Sequence, residues 1–153
     1  MAIGDRLHFS KGAGWIRLPA PAMGNQQSIE IILLRQWASH MATPVWIAGT
    51  RGELLYYNEP AEALLGKRFD EAGEMRLRDL PKIFETTAPD GTPIADDNLP
   101  LGIALTRREP AHLRVRITAL DGVPRLLDIT AVPLIVQGGQ YLGAMAMFWE
   151  PQE

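Results

Sequence analysis

The last third of the chain has the pattern of three consecutive β-strands joined by short turns. Apolar and polar residues alternate along 113–118, which is typical of a strand with one buried face. Asp121-Gly122 and Gly138-Gly139 are turn sequences, and they separate this segment from two further strand-like segments, 126–135 and 141–149. Strands that follow one another through short turns pair antiparallel. The chain is therefore restricted to folds that contain an antiparallel sheet.

The register of the first of these hairpins can be predicted. A two-residue loop at Asp121-Gly122 would set Val115 opposite Asp128, which is a poor pairing. An odd-numbered loop with a bulge at Gly122 instead places Asp128 on the face of Arg114 and Arg116. These arginines beside Asp128 form either an anion- or partner-binding patch or a solvated sheet face with weak ion pairs. We expect the bulged hairpin and the ion pairs. The same register puts five apolar residues on the opposite face: Leu113, Val115, Ile117, Leu127 and Ile129.

The closing strand, 141–149, is apolar on both sides. Ala144, Ala146 and Phe148 share one side, while Met145, Met147 and Trp149 share the other. Both faces of the sheet therefore need cover. The helices predicted between the second and third strands can cover one face, and the N-terminal helix, a partner chain or both can cover the other.

Two strands and several helices precede this part of the chain. Residues 28–41 are predicted to form an amphipathic helix, with Ser28 as its N-cap and Pro44 preventing its continuation. Strands follow at 45–48 and 54–57, with the turn at Thr50-Arg51-Gly52. Asn58 is predicted to cap a helix over 59–65. Further helices are predicted over 75–84 and through Leu101 and Leu105, the latter capped by Asp97 or Asn98. This capping role also explains the Asp96-Asp97 pair.

Composition limits the classes of protein to be considered. The chain has 153 residues, a net charge of −3 and no cysteine, so it fits one domain without disulfides or thiolate metal sites. It shows no basic cluster for nucleic acid and no apolar run of the roughly 20 residues that a membrane span needs. We expect a soluble, cytoplasmic protein. The Gly/Pro/Ala-rich residues 1–27 are interpreted as an extended N-terminal arm.

The order of these elements and several short motifs resemble the PAS family over residues 42–150. The motifs are Gly52, Tyr57-Asn58, Ala63-Leu64-Leu65-Gly66, Asp90-Gly91-Thr92-Pro93, Leu99-Pro100-Leu101 with Ala104-Leu105, Asp121-Gly122 and Val132-Pro133-Leu134. Thr50 is a departure, because many relatives carry Asp near this position. The resemblance implies an α+β fold: a five-stranded antiparallel sheet with helices on one face and a small pocket between them. It also implies a homodimer formed through the helix that precedes the first strand.

The resemblance also suggests which residues form these two sites. Tyr57 matches the position from which the photoactive yellow protein group hydrogen-bonds its chromophore, although it could equally be a core tyrosine satisfied by a neighbouring carbonyl. The ligand-pocket candidates are Tyr57, Ile47, Leu55, Phe84, Leu105, Val115, Ile117 and Met145. The candidates for the dimerisation helix, 28–41, are Ile29, Leu33, Leu34, Trp37 and Met41.

Several cofactors known from this family lack their anchoring residue here. Without cysteine there is no covalent flavin adduct and no thioester chromophore. The haem relatives use an axial histidine on the helix before the last three strands, but residues 97–109 contain none and His112 falls beyond it. His8, His40 and His112 are too scattered to suggest a metal site. A non-covalent flavin or a small metabolite remains open as a ligand.

The sequence contains no catalytic motif, so we expect a sensor rather than an enzyme. The expected function is that of a signalling domain that binds a small ligand or a protein partner and acts through dimerisation or an effector in trans. A ligand-free adaptor is the alternative, with a core filled by Phe84, Leu105, Phe148 and the methionines. A small cone-shaped isomerase or dehydratase is the weaker alternative. It would need Asp70 or Asp79 paired with His112.

Overall fold

The computed structural model describes residues 7–10, 14–17, 28–72 and 75–152. Strands β1 (Leu7–Ser10) and β2 (Gly14–Arg17) pair as an antiparallel hairpin within the segment interpreted as an extended arm. This pairing does not follow from the sequence pattern. The rest of that arm, including Leu18 of its apolar island, lies outside the described residues.

The remaining strands form a single antiparallel sheet, as predicted. They are β3 (Val45–Ala48), β4 (Leu54–Tyr57), β5 (Ala111–Thr118), β6 (Pro124–Ile135) and β7 (Tyr141–Trp149). Their spatial order is β4-β3-β7-β6-β5, so the last strand lies in the centre next to the first strand of the sheet. Both edge strands, β4 and β5, flank the segment that carries most of the helices. This connection therefore passes across one face of the sheet.

The helices are short, and they lie on both faces of the sheet. They are α1 (Ile29–Ala38), α2 (Glu59–Leu65), α3 (Phe69–Ala72), α4 (Leu80–Ile83) and α5 (Pro100–Thr106), with 3-10 turns at Leu77–Asp79 and Asp96–Asn98. Buried residues of α2, α4 and α5 pack on one face in the larger hydrophobic core. Residues of α1 pack on the other face in a smaller core. None of the helices in the described part of the chain has the length and apolar character that a membrane crossing requires.

The β5–β6 hairpin has the predicted bulged register. Val115 pairs with Leu127, and Arg114 pairs with Asp128. The loop between the strands includes Gly122 at a φ of 76°, a left-handed conformation that glycine adopts without steric cost. Asp128 therefore lies on the face of Arg114, as the pattern of apolar residues requires.

The three cap predictions before β5 have different outcomes. Ser28 caps α1 as predicted, since its hydroxyl oxygen accepts a hydrogen bond from the Ile31 N–H at 3.3 Å. Asn58 caps α2 as predicted, since its Oδ1 accepts a hydrogen bond from the Ala61 N–H at 3.2 Å. The prediction that Asp97 or Asn98 caps the next helix is wrong, because α5 begins at Pro100 and Leu99 precedes it without a side-chain cap. Pro100 has no N–H that needs a cap, and its ring favours the extended conformation that Leu99 adopts. Capping therefore does not explain the Asp96-Asp97 pair.

Candidate ligand pocket

A cavity of about 360 Å³ lies between the sheet and the helices of the larger core. This volume falls within the range of roughly 300–1,000 Å³ that is typical of small-molecule sites. Its apolar lining comes from four strands of the sheet and from α2, α4, α5 and the turns next to them. The apolar lining residues are Trp46, Leu64, Leu77, Leu80, Phe84, Leu99, Leu101, Leu105, Ile117, Ile129 and Phe148.

The charged residues around this cavity are exposed. Arg51 lies in the β3–β4 turn, Arg78 lies in the first 3-10 turn, and Asp96 and Asp97 lie in the second. All four side chains reach solvent, which places charge at the rim of the cavity and apolar surface inside it. An apolar interior with polar groups at the entrance is the usual arrangement of a site for a small organic molecule.

Trp46 is the largest side chain of the lining, and it belongs to an aromatic cluster. Its ring centroid lies 4.5 Å from that of Phe148 and 6.3 Å from that of Phe84. The residue is 8% exposed. Its Nε1 is the one buried side-chain nitrogen or oxygen without a hydrogen-bond partner in the part of the chain that the structure describes.

Three of the eight predicted pocket residues line this cavity, namely Phe84, Leu105 and Ile117. Val115 is buried in the same core without lining the cavity. Ile47, Leu55 and Met145 lie on the opposite face of the sheet, against the smaller core, so their assignment to this pocket is corrected.

For Leu55 the correction follows from a bulge at the β3–β4 pairing, whereas Ile47 and Met145 pair with each other in regular register on the outer face. Ile47 pairs with Tyr56 and Ala48 pairs with Leu54, so the register shifts at Leu55. Because of this shift, Leu54 and Tyr57 share the face of the larger core although they are three positions apart. Strict alternation from Tyr57 would put Leu55 on that face instead, and this is the source of the error.

Tyr57 is a core residue that does not line the cavity. Its hydroxyl donates a hydrogen bond to the Lys67 carbonyl at 3.0 Å, and its ring packs edge-on against Phe69 at 5.1 Å. Burial, together with the negative charge of Glu62, raises the pKa of Tyr57 to about 12. This geometry matches the interpretation of Tyr57 as a core tyrosine satisfied by a neighbouring carbonyl, and not that of a ligand-binding residue.

The pocket residues that sequence reasoning missed had a signal in the register of the strands. Ile129 is placed on the face of Ile117 by the bulged hairpin, and Phe148 is placed opposite Met145 by alternation along β7. Applying both patterns together would have identified Ile129 and Phe148. Trp46 is adjacent to Ile47 on β3, so the two side chains face opposite sides of the sheet. Identifying Trp46 would therefore have required the face of Ile47 to be known first.

The predicted dimerisation residues fall into two groups. Leu34 and Met41 pack partly buried on the smaller core beside Ile31, and α1 therefore covers the sheet face of Ile47 and Met145. Ile29, Leu33 and Trp37 point away from that core and are 67%, 58% and 53% exposed. An apolar face of α1 is thus not covered by the described part of the chain.

On the same outer face of the sheet, Arg114 and Asp128 form a bidentate ion pair, with N–O distances of 2.8 and 3.0 Å. Those hydrogen bonds hold the pKa of Asp128 below its usual range, and the charges of Arg114 and His112 act in the same direction. His112 also hydrogen-bonds Thr130 at 2.8 Å. This geometry agrees with the ion-pair interpretation of the patch.

The described residues show neither the carboxylate–histidine dyad of the isomerase alternative at the cavity nor a metal-binding cluster. Asp70, Asp79 and His112 do not line the cavity, so the dyad that an isomerase would need does not face it. No three His, Cys, Asp or Glu side chains within the described ranges are close enough together to hold a metal ion.

Comparison with solved structures identifies the fold. The PAS domain of the fruit-fly ELK potassium channel matches with a TM-score of 0.64 at 10% identity, over 80% of this chain and 98% of that chain. The PAS domain of BvgS from Bordetella pertussis matches with a TM-score of 0.56 at 16% identity, over 81% and 87% of the two chains. The phage VqmA–DPO complex matches with a TM-score of 0.58 at 18% identity, over 79% and 52%.

The chain therefore has the PAS fold, as its motifs indicated. A comparison of the sequence with protein-family models finds no match, and a comparison with curated proteins finds none either. The fold is shown by the structural likeness alone.

Proposed function

We propose that this domain is a sensor that binds a small, largely apolar molecule in the cavity beneath α4 and α5. The observation that carries the proposal is the cavity itself, which is lined by side chains that a ligand-free core would use as filling. Phe84, Leu105 and Phe148 were the residues expected to fill the core of an adaptor, and all three line this cavity. One structure with the same fold, that of phage VqmA, is a complex with DPO.

A route from the cavity to α1 runs through β3 and Asn58. Trp46 lines the cavity, and its neighbour Val45 donates its N–H to Asn58 Oδ1 at 3.0 Å. Asn58 Nδ2 in turn donates to the carbonyl of Ala38 at the end of α1, also at 3.0 Å. A ligand that displaces Trp46 would therefore act on the strand that Asn58 ties to α1.

Filling the cavity should weaken ligand binding. Replacing Leu105 with tryptophan adds a ring to the lining, so we expect a Leu105→Trp variant to bind naphthalene at least about tenfold more weakly than the wild type. Naphthalene is suitable because it tests apolar complementarity alone. The measurement is the dissociation constant from isothermal titration calorimetry, and Leu120→Trp is the matched control, since Leu120 is exposed in the β5–β6 loop.

Equal naphthalene affinities for the wild type and Leu105→Trp would contradict the proposal. Loss of naphthalene binding in the control Leu120→Trp but not in Leu105→Trp would contradict it as well. A wild type that binds no naphthalene up to its solubility limit would favour the ligand-free adaptor. Circular dichroism spectra of both variants check that the fold is kept.

We further propose that the exposed face of α1 joins two copies of the chain, as the resemblance implies. Ile29, Leu33 and Trp37 are large apolar side chains on a single helix, and contiguous exposed apolar surface of this kind marks interaction sites. Dimerisation in this way would place the helix tied to Asn58 at the interface. A change at the cavity would then reach the partner copy.

The double variant Leu33→Glu/Trp37→Glu should sediment as a monomer at concentrations where the wild type is a dimer, because two buried charges would oppose association. Gln137→Glu/Gln140→Glu is the control, since it adds two charges at exposed polar positions of the β6–β7 turn and not on α1. Analytical ultracentrifugation gives the mass of each. A monomeric wild type would refute this part of the proposal.

A further inference from the structure

The indole N–H of Trp46 is buried and has no acceptor. Leaving a buried donor unpaired typically costs about 1–3 kcal/mol, so native proteins rarely leave one unpaired without a functional reason. No protein atom described in this chain satisfies Nε1. Trp46 is one of the residues that line the cavity, so an acceptor bound there can meet the N–H once the indole ring turns towards it.

The surroundings of Trp46 restrict the shape of such a partner. Phe148 and Phe84 flank the indole ring in tilted arrangements, and aromatic rings prefer tilted or offset contacts with other rings. The cavity of about 360 Å³ is more than twice the roughly 150 Å³ of an engineered cavity that holds benzene. A planar molecule of one or two rings matches both observations.

Charge restricts the partner as well. Every charged residue among the described lining is exposed at the rim, so the interior offers no counter-ion to a buried charge. Burying an unpaired charge is far more costly than burying a neutral polar group. The group that meets Trp46 must therefore be a neutral acceptor, such as a carbonyl oxygen or an aromatic ring nitrogen.

We propose that the cavity takes a neutral aromatic molecule of one or two fused rings whose hydrogen-bond acceptor receives the Trp46 Nε1–H. This inference rests on the proposed function and specifies its ligand class. Trp46 provides the polar contact that orients the ligand, and the apolar lining provides most of the contact area.

The test compares two probes on three proteins. Quinoline and naphthalene have the same fused-ring shape, but only quinoline has a ring nitrogen that accepts a hydrogen bond. Trp46→Phe removes the N–H and keeps an aromatic ring. Trp149→Phe is the matched control, because Trp149 lies on the outer face of the sheet and stacks on His112.

The expected result is a change in the ratio of the two dissociation constants. Relative to naphthalene, quinoline should lose about fivefold in affinity on going from the wild type to Trp46→Phe, the value of a single hydrogen bond. Using the ratio removes the difference in hydration between the probes. Trp149→Phe should leave the ratio unchanged.

A nitrogen-15 spectrum of the indole groups reports on the same atom directly. The chain has four tryptophans, and the signal missing from Trp46→Phe identifies Trp46. Its proton resonance should move downfield with quinoline, as hydrogen-bonded protons do, and should not do so with naphthalene.

Three outcomes overturn the inference. If both probes bind and the ratio is the same in Trp46→Phe, the cavity is a ligand site but Trp46 does not anchor the ligand. If the ratio changes but the indole signal does not move downfield, the N–H is engaged by neighbouring rings instead. If neither probe binds the wild type, the proposed function fails together with the inference.

Discussion

Replacing Asn58 with alanine is expected to lower the free energy of unfolding by about 3–5 kcal/mol. Asn58 is fully buried, and its amide is hydrogen-bonded at both ends. Oδ1 accepts from the N–H groups of Val45 and Ala61, while Nδ2 donates to the carbonyls of Ala38 and Thr43. Alanine would leave these backbone groups without that partner, and three of the four hydrogen bonds are buried from water.

The four contacts join separate parts of the fold, which is the reason for the large effect. One belongs to α1, one to the linker after it, one to β3 and one to the first turn of α2. Urea denaturation should show a lower midpoint, and the melting temperature should fall by roughly 10 °C. The control is Asn98→Ala, at an exposed position of the second 3-10 turn, which should change stability by less than about 0.5 kcal/mol. Similar losses for the two variants would mean that Asn58 does not hold the elements together.

Replacing Gly143 with alanine is expected to destabilise the domain by roughly 4 kcal/mol. Gly143 has a φ of 130°, which side chains rarely adopt, and a Cβ at this position would collide with the carbonyl oxygen of Ala48 on the neighbouring strand. The Cβ would be fixed to the backbone of β7 and the oxygen belongs to the backbone of β3, so neither atom can move away without separating the two strands. This close approach occurs where the β6–β7 register shifts next to Leu134.

Gly139→Ala separates the two causes of this loss of stability, which are the unfavourable backbone conformation and the collision with the neighbouring strand. Gly139 has a φ of 79° in the β6–β7 turn, and a Cβ there would meet no atom within 4 Å. It should therefore show only the backbone cost, about 1–2 kcal/mol. Thermal unfolding of both variants gives the difference. Equal losses at the two positions would contradict the close approach of β3 and β7.

The strands of the five-stranded sheet were predictable because their signals are local. Alternation along β5 and the Asp121-Gly122 turn were enough to place Asp128 on the face of Arg114 and Arg116, and the capping side chain of Asn58 was enough to place the start of α2. The register of β5 and β6 could be deduced because a one-residue slip would have exposed a complete row of apolar side chains.

The pocket was less predictable because its lining depends on long-range packing. The bulge at Leu55 has no clear signal in the sequence Leu54-Leu55-Tyr56-Tyr57, yet it decides which of these side chains face the cavity. Tyr57 and Trp46 are both aromatic residues on paired strands, and sequence alone does not show that the hydroxyl of Tyr57 has a hydrogen-bond partner while the N–H of Trp46 has none among the described residues. The extra contacts of Asn58 also join residues too distant in sequence to be predicted from a capping pattern.

The most direct test of the central claim, that the cavity under α4 and α5 binds a small apolar molecule, is a carbon-13 methyl NMR titration of the wild type with naphthalene. Leu80, Leu101 and Ile129 line the cavity, so their methyl signals should shift together in a saturable manner. Val132 and Leu134 lie on the outer face of the sheet, so their methyl signals should stay in place. Shifts confined to the outer-face methyls, or no saturable shift at all, would contradict the account.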